Sequence, residues 1–418
     1  MIKGIKGVKD ILPEETPRWR FIEETARQWA DRYGFHEIRI PIFEVTTLFA
    51  RSIGATTDIV EKEMYTFSDR DGTSLTLRPE GTAGTVRAFI EHHREADPLP
   101  QKYFYIGPMF RHERPQAGRL RQFHQFGVEY LGTQDPKADV DVIALLWRFL
   151  SDLLLPDLTL EINSLGTSAD RVAYLPVLVA FLQGRVDQLC ENCRRRIDTN
   201  PLRVLDCKVP GCRAATEDAP HLTSYLSPEA KDHFDQVLST LSALQIPFRL
   251  NPRLVRGLDY YCLTAFEITS SHLGAQNAVG AGGRYDGLVQ LLGGQPTPAV
   301  GFAAGLERIA MMLPSERVST VRPSIYVASF GAEGSPVGLR LLDALRQVGL
   351  SAISDYRATT LKAHLRQADR AGCRFAVLLG DDEARTGSAI VRDMQSKAQE
   401  TIPLTDLPRY FAALSNTF

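Results

Sequence analysis

The stretch FRHERPQAGRLRQFHQFGVEY, residues 110–130, decides how the chain is read. From Arg121 onward it alternates in the manner of an extended strand. With a two-residue period Arg121, Phe123, Gln125, Gly127 and Glu129 share one face, while Gln122, His124, Phe126, Val128 and Tyr130 share the other. One face therefore carries a guanidinium, a flat ring, an amide, a gap and a carboxylate. Residues 102–111 also read as a strand, and Pro115, Gly118 and Arg119 fall in a polar loop between the two. Arg111 and Glu113 are expected together on that first strand, so the hairpin offers cations, a ring and acidic acceptors to one ligand. A nucleotide needs those groups. Solvated surface charge explains most charge-rich strands, but solvation alone requires neither the glycine nor the glutamine on the shared face.

Outward from the hairpin, Thr16 and Pro17 read as the cap and first residue of a helix, with Trp19, Ile22, Ala26 and Trp29 at helical spacing until Gly34. A strand over 35–41 stops at proline. Further strands are expected over 74–78, 102–111, 120–131 and 264–268, and helices over 81–92 and 139–154. Helices and strands do not alternate regularly, which favours an α+β arrangement, an antiparallel sheet flanked by helices. Residues 165–251 turn helical, clearest over 175–182 and 234–244, and read as an inserted subdomain. Residues 313–323 carry prolines and serines without periodicity and read as a linker. Beyond it, strand-like 325–330 and 375–380 alternate with helix-like 337–348 and 361–371, as in a compact α/β domain.

At 418 residues two or three domains are expected, and a formal net charge of −2 gives no global pull toward nucleic acid or membrane. Any RNA contact must be local. The apolar run 140–155 is broken by Asp141, Arg148 and Asp152, and no apolar signal segment opens the chain, so a soluble cytoplasmic protein without a membrane partner is expected. Cys262 and Cys373 read as small buried hydrophobes. Cys190, Cys193, Cys207 and Cys212 form Cys-x2-Cys and Cys-x4-Cys pairs, a candidate structural Zn2+ site with reduced, unligated thiols as the alternative. Arg194, Arg195, Arg196, Arg203, Lys208 and Arg213 surround it with positive charge, read as RNA contact or as a solvated surface. Gly280, Gly282 and Gly283 do not make a dinucleotide fingerprint, because position 285 is tyrosine and no βαβ unit surrounds them.

The hairpin resembles the second signature motif of class II aminoacyl-tRNA synthetases, in the form found in the histidyl-tRNA synthetase family. Gly7-Val8-Lys9-Asp10-Ile11-Leu12-Pro13 resembles that family's opening, and the helix and strand ending at Pro41 resemble its first motif, which forms a dimer interface. Val300 to Arg308 resembles the third motif. Arg256-Gly257-Leu258-Asp259-Tyr260-Tyr261 and Gly282 to Leu288 resemble elements particular to the histidine enzymes. The resemblance spans nearly the whole chain.

What it implies is a class II synthetase-like catalytic domain over 1–320 with a helical insertion at about 168–250, and a C-terminal α/β anticodon-binding domain over 323–418. It implies a homodimer that uses ATP with Mg2+, L-histidine and tRNA(His). Arg111 and Arg256 would hold the ATP α-phosphate from two sides, and Phe123 and Arg308 would sandwich adenine. Glu113 and Arg119 would meet adenine and the γ-phosphate. Glu80, Thr82 and Gln125 would receive the histidine ammonium, and Glu129 and Tyr261, beside Tyr260, the imidazole. The rival is a non-catalytic, histidine-sensing regulatory paralogue of a phosphoribosyltransferase. Those paralogues lack the anticodon domain and degrade the motif-two and Arg256-type positions, and both features are intact here.

Overall fold

The computed structural model describes residues 2–54, 57, 59–274, 277–318 and 324–415. The chain divides into two units, Met1–Val318 and Ser319–Phe418. In the first, strands follow as β1 (His36–Glu37), β2 (Phe43–Val45), β3 (Tyr65–Ser68), β4 (Ser74–Leu77), β5 (Gln101–Phe110), β6 (Gln122–Leu131), β7 (Leu158–Ser164), β8 (Phe248–Leu250), β9 (Cys262–Ser270), β10 (Ala278–Arg284) and β11 (Ala299–Gly305). Eight of them form one sheet in the order β1-β5-β6-β11-β10-β9-β7-β8. Its interior is antiparallel, as expected, and each edge is a parallel pair, β1 with β5 and β7 with β8. β2, β4 and β3 make a separate three-stranded sheet.

The alternation read in 121–130 is what divides the large sheet into two faces. Phe126 and Val128 enter the main core together with Phe104, Phe266, Ile268, Phe302 and Ala304 from neighbouring strands. Three long helices cover that face, Thr16–Arg32 through Ile22, Ala26 and Ala30, Pro136–Asp152 through Ile143, Leu146 and Phe149, and Pro228–Ala243 through Phe234, Val237 and Leu241, and the short helix Leu306–Met312 adds Leu306 and Ile309. The Phe126 ring meets Phe149 and Phe302 edge-on at 5.2 and 5.4 Å, and burying each such ring contributes roughly 1.5–3 kcal/mol. The opposite face is left for polar side chains.

Several expectations need correcting. β5 ends at Phe110, so Arg111 and Glu113 lie past the strand; Arg111 still donates its N–H to the Arg121 carbonyl at 2.9 Å, one step beyond the ladder. The strand expected over 35–41 is ordered only as the two-residue β1, with Ile38 still donating its N–H to the Phe104 carbonyl at 2.8 Å before the chain leaves the ladder. The helical stretch 165–251 does not act as one body. Ser168–Gln183 and the cysteine region join a second core with Tyr261 and Tyr285, whereas Pro228–Ala243 belongs to the main one. Leu313 and Val318, at the start of the expected linker, pack on that main core, and residues 319–323 lie outside the described residues. Cys373 is buried, but Cys262 is only partly so.

In the second unit β12 (Ile325–Ser329), β13 (Ala352–Ile353), β14 (Phe375–Leu379), β15 (Ser388–Asp393) and β16 (Gln399–Pro403) form a sheet in the order β13-β12-β14-β15-β16. β12 runs parallel to β13 and β14, and β15 and β16 follow antiparallel. Alternate residues feed two cores: Ile325 and Val327 pack with Leu341 and Leu345, while Tyr326 and Ala328 pack with Ala368 and Cys373.

Candidate active site

The polar face of the large sheet opens into a cavity of about 260 Å³ whose wall includes Glu80, Thr82, Arg111, Glu113, Arg119, Phe123, Gln125, Arg256, Tyr260, Tyr261, Glu267 and Arg308. Segments far apart in sequence thus meet: the hairpin, the turn before helix Thr82–Glu91, the loop ahead of β9, and the start of helix Leu306–Met312. Glu129 lies beneath this wall rather than on it, with no solvent exposure.

At one end the groups are acidic and phenolic. Glu129 accepts from Thr82 Oγ1 at 2.7 Å, from the Tyr105 hydroxyl at 3.3 Å and from the Tyr285 hydroxyl. Burial pushes its carboxyl up to about 8, against the lowering effect of the bonds from Tyr285 and Thr82. Glu80 caps helix Thr82–Glu91, accepting from the backbone N–H of Thr82 at 2.6 Å and of Ala83 at 3.0 Å, and burial raises its carboxyl as well. Tyr105, Tyr260 and Tyr285 are held neutral by burial, so they act as hydrogen-bond donors. Gln125 Oε1 is buried without a hydrogen-bond partner among the described residues. An unpaired buried acceptor beside two carboxyl groups fits a cationic or N–H-bearing ligand.

Two glycines make this end possible by close approach. A Cβ at Gly127 would sit 2.3 Å from the Tyr105 ring, its cross-strand partner, and one at Gly301 would sit 2.3 Å from Glu129 Oε2. The gap read on the hairpin face is therefore the space occupied by a tyrosine.

The other end is cationic. Arg111 Nε donates to the Pro79 carbonyl at 2.9 Å, and its guanidinium lies 5.3 Å from the centre of the Phe123 ring. Arg256 is paired to Glu267 at 2.9 Å and lies 5.6 Å from the Tyr261 ring, with its Nε buried and unpartnered among the described residues. Arg308 donates from Nε to the Gly118 carbonyl at 3.1 Å, pinned beneath the hairpin loop. Arg119 is paired to Glu113 at 2.9 Å. Tyr105, Tyr285 and Glu267 escaped the reading of the sequence. Register against Gly127 would have pointed to Tyr105, and Tyr285 stands inside a segment that had been singled out without a role for it.

The four clustered cysteines are elsewhere, in the second core. Their Sγ atoms all lie within 4.8 Å of one another, with Cys190 and Cys207 at 4.0 Å. Four thiolates at about 2.3 Å from a tetrahedral Zn2+ are about 3.8 Å apart, so the donor set fits that ion. Arg203, Lys208 and Arg213 line a larger cavity of about 720 Å³ that shares Arg119, Arg256 and Arg308 with the first. Arg194 is instead tied to the Leu189 carbonyl at 2.9 Å.

Comparison with known proteins gives a consistent answer. The family model described as histidyl-tRNA synthetase matches residues 7–309, and one described as an anticodon binding domain matches 324–414. A histidine–tRNA ligase of Trichlorobacter lovleyi is 52% identical over 403 residues, 96% of each chain. One of Desulfatibacillum aliphaticivorans is 48% identical over the whole of both. The solved apo histidyl-tRNA synthetase of S. aureus is similar with a TM-score of 0.83 at 37% identity, covering 98% of this chain and all of that one.

Proposed function

The chain belongs to the histidyl-tRNA synthetase family, and from that premise we propose how its residues divide the work of a histidine–tRNA ligase. The reaction has two steps. An oxygen of the histidine carboxylate attacks the α-phosphorus of magnesium-bound ATP, forming histidyl-adenylate as pyrophosphate leaves. A hydroxyl of the terminal adenosine of tRNA(His) then attacks the activated carbonyl and AMP leaves.

Arg111 and Arg256 stabilise the charge that builds on the α-phosphoryl oxygens, as preorganised cations that need not reorganise. Arg256 Nε, buried and unpaired, is the donor that supports this most directly. Phe123 and Arg308 enclose adenine, and Glu113 and Arg119 exchange their mutual pair for contacts with adenine and the γ-phosphate. Glu267, a carboxylate on the wall of the same cavity, would suit the Mg2+ that arrives with ATP. Glu80, Thr82 and Gln125 receive the ammonium of histidine. Glu129, with Tyr260 and Tyr261, receives the imidazole, and a site that pairs ring nitrogens rejects apolar analogues because its buried groups would be left unpaired.

The same reading takes 1–320 as the catalytic domain, with an insertion at about 168–250, and 323–418 as the anticodon-binding domain. A structural Zn2+ on Cys190, Cys193, Cys207 and Cys212 would cross-link helices Glu191–Thr199 and Pro210–Ala215. A homodimer is supported by the exposed Ile42, Phe43, Val45 and Phe67 around the small sheet. The basic residues of the insertion favour tRNA, and unpaired cysteines suit the reducing cytoplasm; no helix among the described residues is long and apolar enough to cross a membrane.

The observation that carries the reading is the meeting of Arg111 and Arg256 in one cavity with Glu80, Tyr260 and Tyr261. ATP–pyrophosphate exchange against each amino acid tests it: histidine alone is expected to support exchange. No exchange with any amino acid would instead favour the histidine-sensing paralogue.

A further inference from the structure

Two walls of the adenine slot are joined by a bond that no step of the reaction uses. His124 follows Phe123 on β6, and Glu307 precedes Arg308 at the start of helix Leu306–Met312. The ladder between β6 and β11 ends at Gln125↔Gly305, so the next N–H of β6 has lost its strand partner. Glu307 replaces it: both carboxylate oxygens lie 2.9 Å from the backbone nitrogen of His124, and Oε1 lies 3.0 Å from His124 Nδ1. The imidazole is held in turn by Trp19 of helix Thr16–Arg32, edge to face at 5.1 Å. Glu307 is largely buried, with 13% of its side chain exposed.

A lone backbone N–H at a strand end can be satisfied by water or by any hydroxyl. A carboxylate that takes both donors of one residue does more, because charge-assisted bonds are short and directional. The two residues it ties together each carry one face of the slot on the adjoining position. Phe123 cannot shift along β6, nor Arg308 swing with its helix, without breaking this clamp.

We propose that Glu307 is a positioning residue that sets the separation of the Phe123 ring and the Arg308 guanidinium, and so the fit of the adenine base. The proposal rests on the assignment of those two residues to adenine.

The test is ATP–pyrophosphate exchange by the full-length protein carrying Glu307→Ala, Glu307→Gln or Phe123→Ala. Glu307→Ala is expected to raise KM for ATP about tenfold or more, since displacement of a contact group by about 1 Å is enough for that. KM for histidine and for inorganic pyrophosphate should stay within about twofold, because neither ligand touches the slot. Glu307→Gln should recover most of the loss, as its amide oxygen still accepts from the His124 N–H. A merely structural clamp would lower thermal stability without this split. KM for ATP unchanged in Glu307→Ala overturns the proposal, and so does a parallel rise in KM for ATP and histidine that Gln does not repair. Should Glu307→Ala fail to fold, Glu307→Asp, which keeps the charge but is too short to span, must show the same selective rise or the proposal fails. Phe123→Ala separates the two levels: an unchanged KM for ATP there removes the adenine assignment itself, whereas a rise there with none in the Glu307 variants removes only the clamp.

Discussion

Thr82 donates its hydroxyl to Glu129 Oε1 at 2.7 Å while its own backbone N–H is taken by Glu80 at 2.6 Å, so one threonine ties together the two carboxyl groups of the pocket. Both are buried and raised, and on the proposed assignment the proton on the deeper one decides how the pocket takes histidine.

Histidine affinity should therefore be bell-shaped in pH. Glu129 keeps its proton up to about pH 8 in the free protein, and a free imidazole loses its own near 6.5. A complex that shares one proton between them forms without net proton exchange only within that window. Above it a proton must be taken up and below it one must be released, so affinity falls about tenfold per pH unit on either side. Calorimetric titration with histidine from pH 5.5 to 9.5 reads this directly, and a flat profile would contradict it.

On the proposed assignment, removing Arg256 takes away one of two guanidinium groups from the developing charge. Arg256→Ala should raise the activation barrier by about 3 kcal/mol, roughly a hundredfold in the rate of adenylate formation. Single-turnover measurement is the check. Near-normal rates would sink the role given to it.

Arg284 and Asp139 are both fully buried and paired at 2.5 Å, with His233 on the same carboxylate at 3.5 Å. Asp139→Ala leaves a guanidinium in the core and should cost about 3–5 kcal/mol of stability. Urea denaturation followed by circular dichroism measures it, and a loss below about 1 kcal/mol would mean that Asp286 compensates.

Protein purified without chelator should contain close to one zinc per chain, and Cys193→Ser should lose both the metal and several degrees of thermal midpoint. Metal content well below one equivalent in the parent protein would exclude the site.

Phe43 and Phe67 stand half exposed, ring centres 6.3 Å apart, on the small sheet. Changing both to glutamate should convert a dimer into monomers in sedimentation, and an unaltered sedimentation coefficient would move the interface elsewhere.

The hairpin, the N-terminal helix and the helix over 136–152 were legible because their periodicity is set by burial on one side only. Residues Phe123, Gln125 and Glu129 follow from that same period. The strand over 74–78 was foreseen and is β4, but its partners β2 and β3 and the edge strand β8 are too short to show a period, and β7 was also missed. Tyr105 and Glu267 escaped for a related reason: Tyr105 matters through Gly127, which lies opposite it in register, and Glu267 through its ion pair with Arg256 in the loop ahead of β9, and neither pairing can be read from spacing. Helix Pro228–Ala243 was recognised as a helix but not as part of the main core, since an amphipathic stripe does not say which surface it covers.

β6 serves two masters, with Phe126 and Val128 in the hydrophobic layer, Gln125 on the wall of the cavity and Glu129 buried on that same polar face beneath it. Adding or deleting one residue anywhere in 122–131 would turn every downstream side chain to the wrong face, emptying the core and filling the pocket with phenylalanine in a single event. The tip, residues 112–120, escapes that constraint of register but not of contact, since Glu113, Gly118 and Arg119 stand there on the wall of the cavity.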